Sequence, residues 1–176
     1  TVENGKITRM GPKAPLPAGA REIDLRGRTV LPGLIDAHVH LDWYFNRQGR
    51  LHQGGDGDTP AQSILASAAN ARAMLMAGFT TVQSLGGASD KDVREWIATQ
   101  GLAGPRILTS LGQMSGQGSL TDTLRPPRPS PDTLRARVRR FKDQGADVVK
   151  IFVSGSIRDG GQQTMSIAQM QAGCDE

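Results

Sequence analysis

The chain has 176 residues, with 21 Lys and Arg against 17 Asp and Glu, for a net charge of +4. That length suits one domain with a sizeable core, and the single cysteine, Cys174, excludes an internal disulfide and a cysteine-rich zinc site. No apolar run approaches the ~20 residues of a membrane helix. Much of the positive charge falls in the 125–142 segment, where Leu134, Val138 and Phe141 recur at helical spacing between arginines. This is a solvated helix face without aromatic residues to stack bases, which argues against a nucleic-acid partner.

Residues 1–30 read as short strands and turns. Asn4-Gly5 between Val2-Glu3 and Lys6-Ile7 signals a hairpin. A Pro- and Gly-rich stretch follows, then two further strand candidates, Glu22–Leu25 and Gly27–Val30. Strands so few and so short make no stable sheet alone, so 1–30 is expected to be one part of a small β-domain. From residue 31 the pattern changes. Strands are predicted at Leu31–Leu41, Phe79–Leu85, Arg106–Leu111 and Asp147–Val153. Helices between and after them are announced by Thr59-Pro60-Ala61-Gln62, Ser89-Asp90, Ser130-Pro131 and Ser166-Ile167-Ala168-Gln169, and the first three stop at Gly78, Gly101 and Gly145.

Short apolar strands alternating with helices predict an α/β protein with a parallel sheet. An open doubly wound sheet and part of an eight-stranded barrel both fit. A nucleotide-binding sheet favours a Gly-rich loop after its first strand, whereas here that place holds His38-Val39-His40-Leu41-Asp42-Trp43 and a long loop. Chemistry at strand C-termini favours the barrel, of which residues 31–176 supply four βα units. A half-barrel leaves two open sheet edges, so the chain reads as a fragment that needs a complementary part.

Two residues apart on a strand, His38 and His40 project side by side, and paired imidazoles suit a divalent metal. Asp36 shares that face, where it either orients a histidine or forms a core hydrogen bond. Lys150 lies within the apolar strand 147–153. It is either a snorkelling lysine or a functional one, since an unpaired interior ammonium is costly.

Four segments together carry a family resemblance: Pro32-Gly33-Leu34-Ile35-Asp36-Ala37-His38-Val39-His40, Ala77-Gly78-Phe79-Thr80-Thr81-Val82, Gly104-Pro105-Arg106-Ile107 and Gly145-Ala146-Asp147-Val148-Val149-Lys150-Ile151. In order and spacing they resemble the metal-dependent amidohydrolase superfamily, in the branch of Xaa-Pro dipeptidases (prolidases) and imidazolonepropionase-related hydrolases. The resemblance implies the first half of a (β/α)8 barrel, preceded by part of a β-sandwich built from both chain ends. It implies that His38 and His40 bind metal and that Lys150, carboxylated by CO2, bridges two ions. It further implies two later histidines and a general-base aspartate after strand 8, with no counterpart assigned within 176 residues. One or two divalent ions, zinc foremost, a small amide or dipeptide substrate and a homo-oligomeric full-length enzyme are the accompanying expectations. Within the same class, a mononuclear deaminase or imidazolonepropionase-type hydrolase would not need Lys150. From a different class, the chain is a non-catalytic half-barrel.

Relatives in this branch often carry a Gly-Gly-His-Gly loop after strand 3. Here Met114-Ser115-Gly116-Gln117-Gly118-Ser119 contains no histidine, which affects substrate placement and not the metal ligands. His52 is expected to be a solvated loop histidine. Asp56 and Asp58 flank Gly57 without the further oxygen ligands of a calcium loop. Arg158, in the loop after the fourth strand, is a candidate partner for a substrate carboxylate.

Overall fold

A computed structural model describes residues 1–11, 16–53, 56–99, 101–116 and 128–176, and these divide into two units, Thr1–Pro32 and Gly33–Glu176. In the first unit, β1 (Val2–Glu3) and β2 (Lys6–Ile7) form an antiparallel hairpin. Asn4 and Gly5 both take positive φ, 51° and 74°, matching the primed turn that the Asn-Gly pair favours. The strands expected at 22–25 and 27–30 do not form. Asp24 instead accepts from Arg26, and a turn closes through the Arg28 N–H to the Leu25 carbonyl. The described residues from Val2 to Pro32 are all exposed, so this unit has no interior to reward a longer ladder.

The second unit carries β3 (Leu34–Val39), β4 (Tyr44–Phe45), β5 (Leu51–His52), α1 (Pro60–Met76), β6 (Phe79–Ser84), α2 (Asp90–Ala98), β7 (Arg106–Thr109), β8 (Gln113–Ser115), α3 (Pro131–Asp143), β9 (Lys150–Phe152), a 3-10 turn (Ile157–Asp159) and α4 (Ile167–Asp175). β3, β6 and β7 pair in parallel, with β6 central, and β8 pairs in parallel with β9. The third predicted strand, Arg106–Leu111, ends at Thr109; Leu111, with a φ of 55°, departs from strand geometry, and a further strand, β8, follows. Beside that break the Asp147 N–H donates to the Thr109 carbonyl at 2.8 Å, which links the segment before β9 to β7. Met114 and Ser115, expected in a loop, belong to β8; Gln117–Ser119 lie outside the described residues, as does Arg125.

The helix starts follow their caps. Thr59 with Gln62 and Ser166 with Gln169 form complete capping boxes, and Ser130 accepts from the Thr133 N–H. Ser89 differs, making no side-chain cap. Its hydroxyl bonds to Ser67 at 3.0 Å and so ties α2 to α1. α1 ends before Gly78, whose φ of 98° suits glycine. Gly33 is required for another reason: a β-carbon there would collide with the Thr80 side chain on the neighbouring strand.

The core has two centres. Leu41, Ala71, Val82, Val93 and Ile107 join β6, β7, α1, α2 and the chain just after β3; Met114, Leu134, Val138 and Met165 join β8 and α3 to the segment before α4. Leu134 and Val138 are buried and Phe141 half-buried between the solvated arginines of α3, as its periodicity indicates. β3 departs from the pattern of a strand covered on both faces, since Leu34 and Ile35 are 50% and 71% exposed. β3 and β9 each pair with a single neighbour among the described residues.

Candidate metal centre

His38 sits where the β3–β6 ladder is irregular. Asp36 pairs with Val82 and Val39 with Ser84, so three steps along β3 face two along β6. Such a bulge breaks the strict alternation assumed for the two histidines. Their rings are adjacent all the same, with centroids 5.5 Å apart. The Asp36 carboxylate accepts from the His38 backbone N–H at 3.0 Å, a bond that braces the backbone and not an imidazole.

Lys150 opens β9, and its Nζ lies 3.5 Å from His38 Nε2 and 4.9 Å from the centre of the Phe152 ring. At 3.5 Å the amine and imidazole are neighbours, beyond the usual length of a strong hydrogen bond. All three β9 residues are half-buried, so the ammonium is less sequestered than the apolar run suggests. Burial holds the His40 imidazole below the ordinary histidine pKa; Asp42 opposes this, while His38 and Lys150 add to it. A neutral imidazole is the form that binds a metal. Among the described residues, no three His, Cys, Asp or Glu side chains converge as a metal site. The donor set is two imidazoles and one amine. Arg158 stands apart on the exposed 3-10 turn, joined by no hydrogen bond or ion pair to the three.

His52 is not a solvated loop residue. Its Nδ1 lies 2.8 Å from Asp58 Oδ2, and their side chains are 20% and 16% exposed. The Tyr44 hydroxyl also donates to Asp58, at 3.2 Å, and Tyr44 pairs with His52 across the β4–β5 hairpin. Asp58 is thus committed to the hairpin. Asn46, whose side chain accepts from the Gln48 and Arg50 N–H groups, was the overlooked turn signal.

Three more residues carry no signal in the sequence. Trp43 stacks on His40 with centroids 4.2 Å apart and planes 11° from parallel. Asn70, a polar residue in the Ala-rich α1, donates to the Leu41 and Trp43 carbonyls at 2.7 Å each. Asp90 is fully buried at the start of α2 and accepts from the Thr109 hydroxyl at 2.9 Å. Burial pushes its carboxyl up to about 6, against the opposing effect of hydrogen bonds from Ser84 and Thr109.

The parallel βα units thus carry the paired histidines at the C-terminal end of β3. Residues 29–172 match the amidohydrolase family, and the chain belongs to it. The chain is 27% identical over 137 residues to an imidazolonepropionase of Deinococcus radiodurans, covering 70% of this chain and 34% of that protein. An allantoinase of Solibacter usitatus is 46% identical over 54 residues, 31% of this chain and 10% of its own length. A solved Xaa-Pro dipeptidase with methionine bound in its active site superposes with a TM-score of 0.65 and 25% identity, covering 82% of this chain and 40% of that one. The chain therefore spans less than half the length of these relatives. Members of the family generally use divalent metals.

Proposed function

We propose that this chain supplies the strand-1 and strand-4 side of a binuclear metal centre in an enzyme that hydrolyses a C–N amide bond of a small substrate. The observation that carries the reading is the approach of Lys150 to His38, which brings an amine from β9 beside an imidazole from β3. His38 and His40 would hold one ion. Lys150 would join as a carbamate: its neutral amine bonds to CO2 and a proton leaves, turning a cation into an anionic ligand. Zinc suits imidazole and carboxylate-type donors, as do Mn, Co and Fe. When bound, such ions supply Lewis-acid activation of the amide carbonyl and of water.

The rest of the proposal concerns architecture and substrate. The four βα units form the first half of a (β/α)8 barrel, residues 1–30 belong to a composite β-sandwich, and the remaining ligands and the aspartate base lie in further chain. Arg158 pairs with the carboxylate of a dipeptide. Similarity to an imidazolonepropionase favours, as a second reading, a mononuclear cyclic-amide hydrolase in which Lys150 is not a ligand.

The test is zinc binding by a full-length protein containing this chain, measured by calorimetry, together with its turnover of Xaa-Pro dipeptides. The proposal expects binding that His38→Ala and His40→Ala each weaken at least tenfold. Wild-type affinity in both variants would overturn the metal reading. A single ion unaffected by Lys150→Ala would select the mononuclear one.

A further inference from the structure

We propose that Trp43 and Asn70 are positioning residues that fix the imidazole of His40 for metal binding. The inference rests on the metal reading above.

The two histidines are held differently. His38 lies within β3, its backbone N–H is taken by Asp36, and its ring faces Lys150. His40 lies one residue beyond the end of β3, so the ladder does not orient its ring. What faces that ring is Trp43, stacked nearly parallel at 4.2 Å. An indole lying flat on an imidazole restricts the rotation about χ2 that would swing the ring nitrogens away from a metal.

The stack in turn needs Trp43 held in place. The His40–Trp43 turn is closed by one backbone contact, Trp43 N–H to His40 carbonyl, at a long 3.3 Å. Asn70 closes it from outside through its two bonds to the Leu41 and Trp43 carbonyls, which bracket the segment after His40. Leu41 anchors the same segment from below, being 1% exposed in the core. Asparagine is a poor helix former, and α1 is otherwise rich in alanine around this position. An Asn in mid-helix with both donors aimed at loop carbonyls is explained by the loop it holds. Changes to side chains that orient a metal ligand typically weaken metal affinity by about 10–100-fold.

The experiment measures zinc affinity of a full-length protein containing this chain and of its Trp43→Leu, Trp43→Phe and Asn70→Asp variants by calorimetry, with metal-free thermal unfolding recorded for each. Asn70→Asp keeps the shape and removes both donors. Zinc binding is expected to weaken about tenfold in Trp43→Leu and Asn70→Asp, and by less than about threefold in Trp43→Phe, which keeps a stacking ring. A second readout uses the wild type. Co(II), a quencher of nearby indoles, should dim Trp43 emission, and Trp43→Phe should remove that quenching.

Wild-type zinc affinity in both Trp43→Leu and Asn70→Asp overturns the proposal. So does Co(II) binding without quenching. Affinity that falls only in proportion to lost thermal stability, with no recovery in Trp43→Phe, assigns the two residues to folding alone and also overturns it. Absence of zinc binding by the full-length protein, with His40→Ala no different, removes the metal reading itself.

Discussion

The Lys150 amine lies 3.5 Å from His38 Nε2, although 112 residues separate them in the chain. The contact depends on the parallel pairing of β8 with β9 and on the link between Asp147 and Thr109 that aligns β9 with β7. If the amine becomes an anionic ligand, Lys150→Ala should reduce zinc stoichiometry from two ions to one in a full-length protein containing this chain. Elemental analysis after dialysis measures it.

Asp90 gives a pH signature. Burial raises its native carboxyl to about 6 from an ordinary 3.8, so the folded state keeps its proton where the unfolded chain has lost it. Stability from this group is therefore greatest below about pH 4 and is lost as pH rises through 6. A shift of roughly two units corresponds to about 3 kcal/mol at most. Asp90→Asn should match the wild type near pH 4 and exceed it by about 1–3 kcal/mol at pH 7.5 in urea unfolding. An unchanged difference between the two pH values would contradict the assignment.

Asp58 closes the β4–β5 hairpin through Tyr44 and His52. Asp58→Ala should loosen that hairpin by about 1–2 kcal/mol, because two partly buried partners lose their acceptor. Amide hydrogen exchange should accelerate in 44–52 and stay unchanged in β6 and β7.

The Gly33 backbone leaves no room for a side chain beside Thr80. Gly33→Ala should lower stability by about 1 kcal/mol, because the new β-carbon meets the Thr80 side chain at an exposed position where strand or side chain can shift. A shift in the urea midpoint tests this, and β3–β6 pairing is where the damage should appear.

β3 exposes Ile35 at 71%, and the segment around β9 exposes Val149 and Val153 at 39% and 43%. Each strand also offers an unpaired edge among the described residues. The isolated chain should self-associate with rising concentration in analytical ultracentrifugation, because open apolar edges template pairing. A monomer up to high micromolar concentration would argue against exposed edges.

The sequence alone determined the local elements with a short-range cause. Capping boxes at Thr59 and Ser166, the Asn4-Gly5 turn and the stop at Gly78 each act over a few residues, and each appears in place. It also singled out His38 and His40 by their spacing and Lys150 by its apolar strand, a family resemblance implied their roles, and the family is confirmed over residues 29–172. Local pattern failed where partners decide. The strands expected at 22–25 and 27–30 do not form, the Ser89 hydroxyl bonds Ser67 in place of a side-chain cap, and strand alternation is interrupted at the bulge before Val39.

What only the tertiary structure decided are pairings between distant or non-periodic groups. His52 reads as solvated in the sequence, yet a hairpin brings Asp58 against it. Nothing in the spacing announces a tryptophan stacked on His40 or an asparagine reaching from α1. Such contacts come from packing, which joins residues that carry no local signal of one another. The sequence thus named the histidines, while the fold supplied the side chains that hold one of them still.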